Sequence, residues 1–476
     1  MKKIFLLLLF IYTQVCQSQT LVSGGIFSNT TWTAANSPYI LTGPIVVFPG
    51  NTLTLEPGVT VKVQFKGFNT GLMSYIELRG AMLANGTKAA PITFEAELPT
   101  QEYTWRGIEI KSVQGGTFTG TNFQMNNSLY GISSDKIYYD TVSFKHCTFK
   151  NNMFGIYFSA NLKLDSCIFI NNGAATSAMT SFGGVNVNQC IFENNGVCFP
   201  RMANGVLINT SEFKNGRTAI LENTGKIENC LFQENQIAIE NCFNLDVKNC
   251  LLQRNGTAIA GANEGTIEGN VILANKLGVD ISGPCVVVNN DVNANEVGVK
   301  ISGAFAPGQT IQNFNNNRMC YNSKYNVENG SDLNLGLEKN CFCLQDSAAI
   351  EALIYDGYDD FTRGLINFAT YDTSCVQLIT TFKKVQINTS LSDRQVNNIT
   401  PLLIYPNPAN SFIHIEQNTN SIQISKLQVI DMMGRSICEL SLNKEELFKL
   451  DISEFNNGVY WLKDANNSFV GSFVKL

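Results

Sequence analysis

From residue 144 onward one short pattern keeps returning. "FKHCTFKNNMFGI", "LDSCIFINNG", "VNQCIFENNG", "NTSEFKNGRTAI", "IENCLFQENQIAI", "VKNCLLQRNGTAI", "IEGNVILANKLGV" and "VNNDVNANEVGV" all fit one template. A small or polar residue is followed two positions later by an apolar one, then by an Asn three further on, then by a small residue and an aliphatic. The Asn column runs Asn152, Asn172, Asn195, a Gly216 slot, Asn235, Asn255, Asn275 and Asn295. Its steps range from 19 residues (216 to 235) to 23 residues (172 to 195). Such a period marks a solenoid, in which each repeat buries its apolar face only against the next.

A leucine-rich repeat shares the period but needs a Leu-rich signature and room for a helix. Here the apolar residues form short alternating or doubled runs with Asn and Gly at every corner, the pattern of half-buried strands joined by tight turns. A repeat of that kind closes as one rung of a parallel β-helix, which stacks equivalent residues about 4.8 Å apart. An inward Asn at one corner can then bond to the rungs on either side, so the Asn column is expected to be a structural ladder. Cys147, Cys167, Cys190, Cys230 and Cys250 share a second column, with Ser211, Asn270 and Asn290 in the same slot. Side chains stacked in parallel suit a disulfide torsion poorly, so these cysteines are expected to be free, small, buried packing residues. Cys320, Cys341, Cys343 and Cys375 lie past the regular rungs, where a stapling disulfide is more plausible. The C-x-C spacing of Cys341 and Cys343, far from His146 and His414, argues against zinc.

Upstream, "NTLTLEPGVTVKVQF" and "IELRGAMLANGTKAAPITFE" alternate between Pro-Gly and Asn-Gly turns, and "YTWRGIEI" enters another strand. Together they resemble the opening of secreted right-handed parallel β-helix proteins of the pectate-lyase-like fold. "IYDGYDDFTRGLINF" (Ile354–Phe368) resembles the closing segment of such domains, where a helix-like turn and a last strand cover the open end. The resemblance spans residues 21–375 and bears on fold rather than activity.

Lys2 and Lys3, an apolar run from Ile4 to Tyr12 and small residues at Cys16 and Ser18 predict a signal peptide over 1–18. The run is far short of the roughly 20 residues needed to cross a bilayer, and no transmembrane segment is expected elsewhere. Charged residues are only 15% of the chain and the net charge is −6, so the surface is largely neutral and nucleic acid is not expected as a partner.

After Cys375 the polar stretch 376–400 reads as a linker, and a fresh module begins. "YPNPANSFIHIE" offers a Pro-braced extended start and an alternating strand; "KLQVIDMMGRSI" is strand, turn and strand; "LDISEFNNGVYWLKD" and "GSFVKL" complete a small β-sandwich over 401–476. This module resembles the C-terminal sorting domain of type IX secretion cargo. The matching residues are Tyr405, Pro406, Asn407 and Pro408 at the opening, Asp431, Gly434 and Arg435 in the middle, Gly458 and Tyr460 late, and Lys475 at the end. The resemblance implies passage through the type IX outer-membrane machinery, then removal of the domain with attachment to surface lipopolysaccharide or release.

The expected fold is thus all-β, a right-handed parallel β-helix (19–375) followed by a small C-terminal β-sandwich. Relatives of the fold include enzymes that cut acidic polysaccharides, which need clustered carboxylates for Ca²⁺ or for acid and base roles. The outward column Asp165, Asn188, Glu228, Lys248, Glu268 is mixed rather than acidic. Asp356, Asp359 and Asp360 sit in the cap and are expected to serve capping, and His146 has no evident triad partner. No catalytic residue, metal or cofactor is therefore assigned. Phe154, Tyr157 and Phe158 are either a sugar-stacking platform or rung packing. The expected function is a non-catalytic exported adhesin or glycan-binding rod with extracellular polysaccharide as partner; the alternative is a divergent lyase or hydrolase. A groove lined by three or more carboxylates, or by a carboxylate-plus-Arg cluster, would overturn that ranking.

Overall fold

The computed structural model describes residues 19–67, 71–98, 103–177, 183–303, 305 and 311–375 of the solenoid region. Of the C-terminal region it describes 403–405, 409–416, 426–430, 435–441, 447–456, 458–464 and 469–475. The segments 1–18 and 376–400 lie outside the described residues, as do Pro406, Asn407, Pro408, Asp431 and Gly434.

One rung shows how the sequence builds the coil. Val185–Asn188, Ile191–Glu193 and Val197–Phe199 are three short strands on three faces, here named A, B and C. The next rung repeats them as Val206–Asn209, Glu212–Lys214 and Thr218–Leu221, in parallel register. Left-handed residues make the two tight corners: Gln189 and Asn194 in the first rung, Thr210 and Asn215 in the second. Asn and Gly tolerate that backbone best, which explains their abundance at the corners. Glu234, Arg254, Ala274 and Ala294 take the same conformation, so the fold imposes it even where the residue does not favour it. Stacked rungs join into one 38-stranded parallel system, and the structure is a parallel β-helix.

Inside, the central residue of each B strand packs on its neighbours above and below. Phe149, Phe169, Phe192, Phe213 and Phe232 form a continuous stack with ring centroids 4.8–5.0 Å apart. Leu252, Ile272, Val292 and Met319 carry the column onward by register.

The C-terminal end of the coil is closed by a cap. A short helix, Ser347–Glu351, is capped by the Asp346 carboxylate, which accepts from the backbone N–H groups of Ala348 and Ala349. It precedes the segment in which a helix-like turn was expected. In that segment Ile354–Tyr355 adds a last pair to face C, followed by Asp-rich turns. Disulfides Cys320–Cys343 and Cys341–Cys375 tie the cap to the last rungs. Cys147, Cys167, Cys190, Cys230 and Cys250 are buried and unbridged.

The C-terminal region forms a three-stranded and a four-stranded antiparallel sheet around Ile413, Ile415, Val429, Ile452, Leu462 and Phe473.

Candidate functional site

Two inward columns hold the corners. Between faces B and C, the Asn235 amide donates through Nδ2 to the carbonyl of Phe213 and to Oδ1 of Asn255, while its backbone N–H donates to the same Oδ1, all at 3.0 Å. Asn152, Asn172, Asn255, Asn275 and Asn295 make the same three contacts one rung along, and Asn195 donates to the carbonyl of Phe169. All seven are buried, so none is presented to a ligand.

Between faces A and B, the backbone N–H of Cys167 donates to Cys190 Sγ at 3.3 Å, that of Cys190 to Ser211 Oγ, and that of Cys230 to Cys250 Sγ. Asn270, Asn290, Asn317 and Asn340 continue this column as a second amide ladder. The thiols are thus hydrogen-bond acceptors as well as fillers. Burial pushes the Cys190 and Cys230 thiols well above their ordinary range.

On the outside, face A carries paired charges: Lys145 with Asp165 at 3.6 Å, Lys226 with Glu228 at 2.8 Å and Lys248 with Glu268 at 2.9 Å. The expected mixed column is in register there, Asn188↔Asn209↔Glu228↔Lys248↔Glu268.

Face C is different over its early rungs. Val46, Glu77, Glu109, Ser133 and Tyr157 stand side by side on successive strands, with Tyr75, Gly107, Tyr130 and Phe154 in the neighbouring row. Glu77 and Glu109 are only 8% and 7% exposed, so each needs a partner. Arg79 Nε lies 2.5 Å from Glu77; Arg106 pairs with one oxygen of Glu109 and Lys111 lies 3.3 Å from the other. The Arg106 guanidinium also lies 4.3 Å from the Tyr75 ring centre. Its position follows from its neighbour Trp105, fully buried, whose indole N–H donates to the carbonyl of Asn126. Gly107 has φ 107°, and a Cβ there would meet the Tyr130 carbonyl oxygen at 1.5 Å. Only glycine lets these two strands approach and hold the row together.

Beside the charges, Tyr130, Phe154 and Tyr157 form a half-buried aromatic triad with centroid distances of 5.7, 5.0 and 5.2 Å. Phe158 is buried in the core. Of the three aromatics read from "NNMFGIYFSA", Phe154 and Tyr157 stay half-buried on the outside and Phe158 packs in the core. Tyr130 and the five charged residues escaped the sequence reading. The signal was present: "IELR" (76–79) and "IEIK" (108–111) repeat Ile-Glu-x-cation.

Chemically, this face offers aromatic surface next to fixed ionic hydrogen-bonding groups, an arrangement suited to sugars with one apolar ring face and many hydroxyls. Glu77 and Glu109 sit one rung apart, but both are committed to cations and the register positions flanking them are Val46 and Ser133. The Asp-rich cap is spoken for as well. Asp356 accepts from the N–H groups of Tyr358 and Ile366, and Asp360 from Thr362 and Arg363. Those bonds hold the Asp360 carboxyl below its usual range, Thr362 foremost. His146 is exposed in a left-handed corner.

In the C-terminal sheets, Tyr405 ends a strand opposite His414, and Arg435 lies exposed before Ser436–Ser441. Gly458 pairs with Lys475, which also bridges Ala409, so the opening and closing motifs meet. The Tyr460 hydroxyl donates to the Asn456 carbonyl, and its ring stacks on Phe473. Residues 403–474 match the family model of the secretion system C-terminal sorting domain. The C-terminal region is a type IX sorting domain. The sorting domain marks the chain for export to the cell surface or the extracellular space, through the type IX machinery. No helix among the described residues is long and apolar enough to cross a membrane.

No curated protein matches the sequence. Among solved structures, the chain is similar to a mannuronic-acid-specific polysaccharide family 6 lyase from human gut microbiota (12% identity, 63% of this chain and 79% of that chain, TM-score 0.25). It is similar to the periplasmic alginate epimerase AlgG (11%, 74% and 77%, TM-score 0.24) and to the A-module of the mannuronan C-5 epimerase AlgE4 of Azotobacter vinelandii (14%, 75% and 91%, TM-score 0.17). These overlaps are too loose to bear on function; the fold stands on the strand pairing.

Proposed function

We propose that the exported β-helix is a non-catalytic glycan-binding rod whose binding surface is the outer side of face C, centred on Tyr130, Phe154 and Tyr157. The aromatic triad carries this reading: three rings in mutual contact remain half-exposed on the same face as Tyr75 and the Glu77 and Glu109 ion pairs. The cations held in place by Glu77 and Glu109, namely Arg79, Arg106 and Lys111, stay partly exposed and supply oriented donors for hydroxyls at little cost in reorganisation. The ligand class is a neutral, hydroxyl-rich polysaccharide, because Arg79, Arg106 and Lys111 are all held by Glu77 or Glu109 and leave a single positive charge in excess. The division into 1–18, 19–375, 376–400 and 401–476 belongs to the same proposal, as do the sorting roles of Tyr405–Pro408, Asp431, Gly434, Arg435, Gly458, Tyr460 and Lys475.

A second reading, the divergent lyase or hydrolase, meets the criterion set from the sequence, since Glu77 and Glu109 stand with Arg79 and Arg106 on one face; it stays second because both carboxylates are already paired to cations. Glu77 and Glu109 are in register on adjoining strands, about 4.8 Å apart in the backbone, close to the separation of about 5–5.5 Å between the carboxyls of retaining glycosidases. A panel of neutral and acidic polysaccharides, assayed for binding and for new reducing or unsaturated ends, separates the two. Binding without cleavage, lost in Tyr157→Ala, supports the rod. Cleavage abolished by Glu109→Gln establishes the enzyme, and absence of both sinks the glycan reading.

A further inference from the structure

The four cysteines beyond the regular rungs converge on one point. Cys320 ends the strand Arg318–Cys320, and Cys341 lies alongside it through a bridge to Arg318. Cys343 follows in left-handed backbone, and Cys375 reaches Cys341 from 34 residues further along the chain. The two disulfides link positions 23 and 34 residues apart. All four Sγ atoms nevertheless lie within 4.8 Å of one another. Two staples need only pairwise approach, and nothing in stapling requires both at one spot. A tetrathiolate metal site does require it: tetrahedral Zn²⁺ with Zn–S of about 2.3 Å places its sulfurs roughly 3.8 Å apart. C-x-C alone supplies only two ligands; the fold brings the other two. The backbone N–H of Cys343 donates to Cys341 Sγ at 3.3 Å.

We propose that in the reduced chain Cys320, Cys341, Cys343 and Cys375 bind one thiophilic dication such as Zn²⁺, so that the same four sulfurs close the cap in two chemical states. Metal binding releases the four thiol protons. Oxidation removes four electrons to a disulfide-bearing oxidant, forms the two disulfides and frees the ion. The corner column does not compete, because its thiols are spread one per rung and are engaged with the backbone N–H groups of neighbouring rungs.

The test uses the full chain, reduced without oxygen by a phosphine and titrated with Co²⁺. The expected result is one equivalent bound, with the visible bands and sulfur-to-cobalt charge transfer of a tetrathiolate, displaced by Zn²⁺. Cys343→Ser weakens binding roughly tenfold or more, Cys320→Ser with Cys343→Ser abolishes it, and Cys230→Ser leaves it intact. Limited proteolysis of the reduced chain follows the cap directly, and Zn²⁺ is expected to restore protection. The proposal is overturned by a reduced chain, its four cap thiols verified by alkylation, that shows no thiolate–cobalt transition. It is equally overturned by a band that survives in the double variant, or by a cap that opens on reduction and that Zn²⁺ does not close.

Discussion

Faces A and C share one backbone and one register, yet their charges are held differently. On face A, Lys145–Asp165, Lys226–Glu228 and Lys248–Glu268 keep much of their hydration, and such pairs are worth about 0–1 kcal/mol. On face C, Glu77 and Glu109 are almost dry, Glu77 matched to Arg79 and Glu109 to both Arg106 and Lys111. Removing one partner of a buried pair costs about 3–5 kcal/mol. Between these two faces, the exchangeable pairs lie on the regular rungs and the nearly dry ones on the irregular early rungs around Gly107; face B of the regular rungs holds buried pairs of its own, Glu212–Lys214 and Asp291–Arg318.

The largest test of this contrast is Glu109→Ala, which leaves Arg106 and Lys111 without their carboxylate. A local destabilisation of about 3–5 kcal/mol is expected, read as loss of hydrogen-exchange protection over Trp105–Ile110. Glu268→Ala on face A should change protection by under about 1 kcal/mol; equal effects would erase the distinction. Next, Phe154→Ala with Tyr157→Ala should weaken glycan binding by about 2–4 kcal/mol, the range of buried aromatic anchors. Lys248→Ala should leave the isotherm unchanged, and the reverse pattern would move the binding surface to face A. Within the core, Asn255→Ala removes an amide that bonds to Phe232 and Asn275 and strands the carbonyl of one and the N–H of Asn235, for about 2–3 kcal/mol. Cys230→Ala loses only a small thiol, so its denaturation midpoint should fall by less. The smallest effect is a pH dependence. The Glu268 carboxylate holds the Lys248 pKa above its usual 10.5, so this pair's contribution is whole below pH 10.5 and fades as pH rises through the higher folded value. Lys248 is well solvated, so wild type and Lys248→Ala should differ in alkaline melting by under about 1 kcal/mol.

How much was legible depended on the region. From residue 144 on, turn residues and apolar positions recur at near-constant spacing, so strands, corners and the inward columns can be read off directly. In the first rungs, Glu77 and Glu109 are register partners although they lie 32 positions apart (77 to 109). That is too long a step to stand out beside steps of 19 to 23. Their local Ile-Glu-x-cation repeat was the available sign. The cysteine column was legible as buried and unbridged, but its acceptor role was not, because a thiol's partner is the N–H of another rung. Phe154 and Phe158 look alike in sequence. Two consecutive inward residues, Gly155 and Ile156, shift the alternation and send Phe158 to the core while Tyr157 stays out.

By itself the sequence determined the rung and the address. Period, corner residues and alternation force short parallel strands, because no other arrangement buries one stripe per repeat and satisfies the backbone. Residues 403–474 likewise match the sorting-domain family. The tertiary structure alone decided which outward residues meet. Alternation says in or out, but loop lengths between rungs set which residue lies beside which. That stacking put two glutamates, three cations and three aromatic rings on one face of the rod, and four sulfurs at its end.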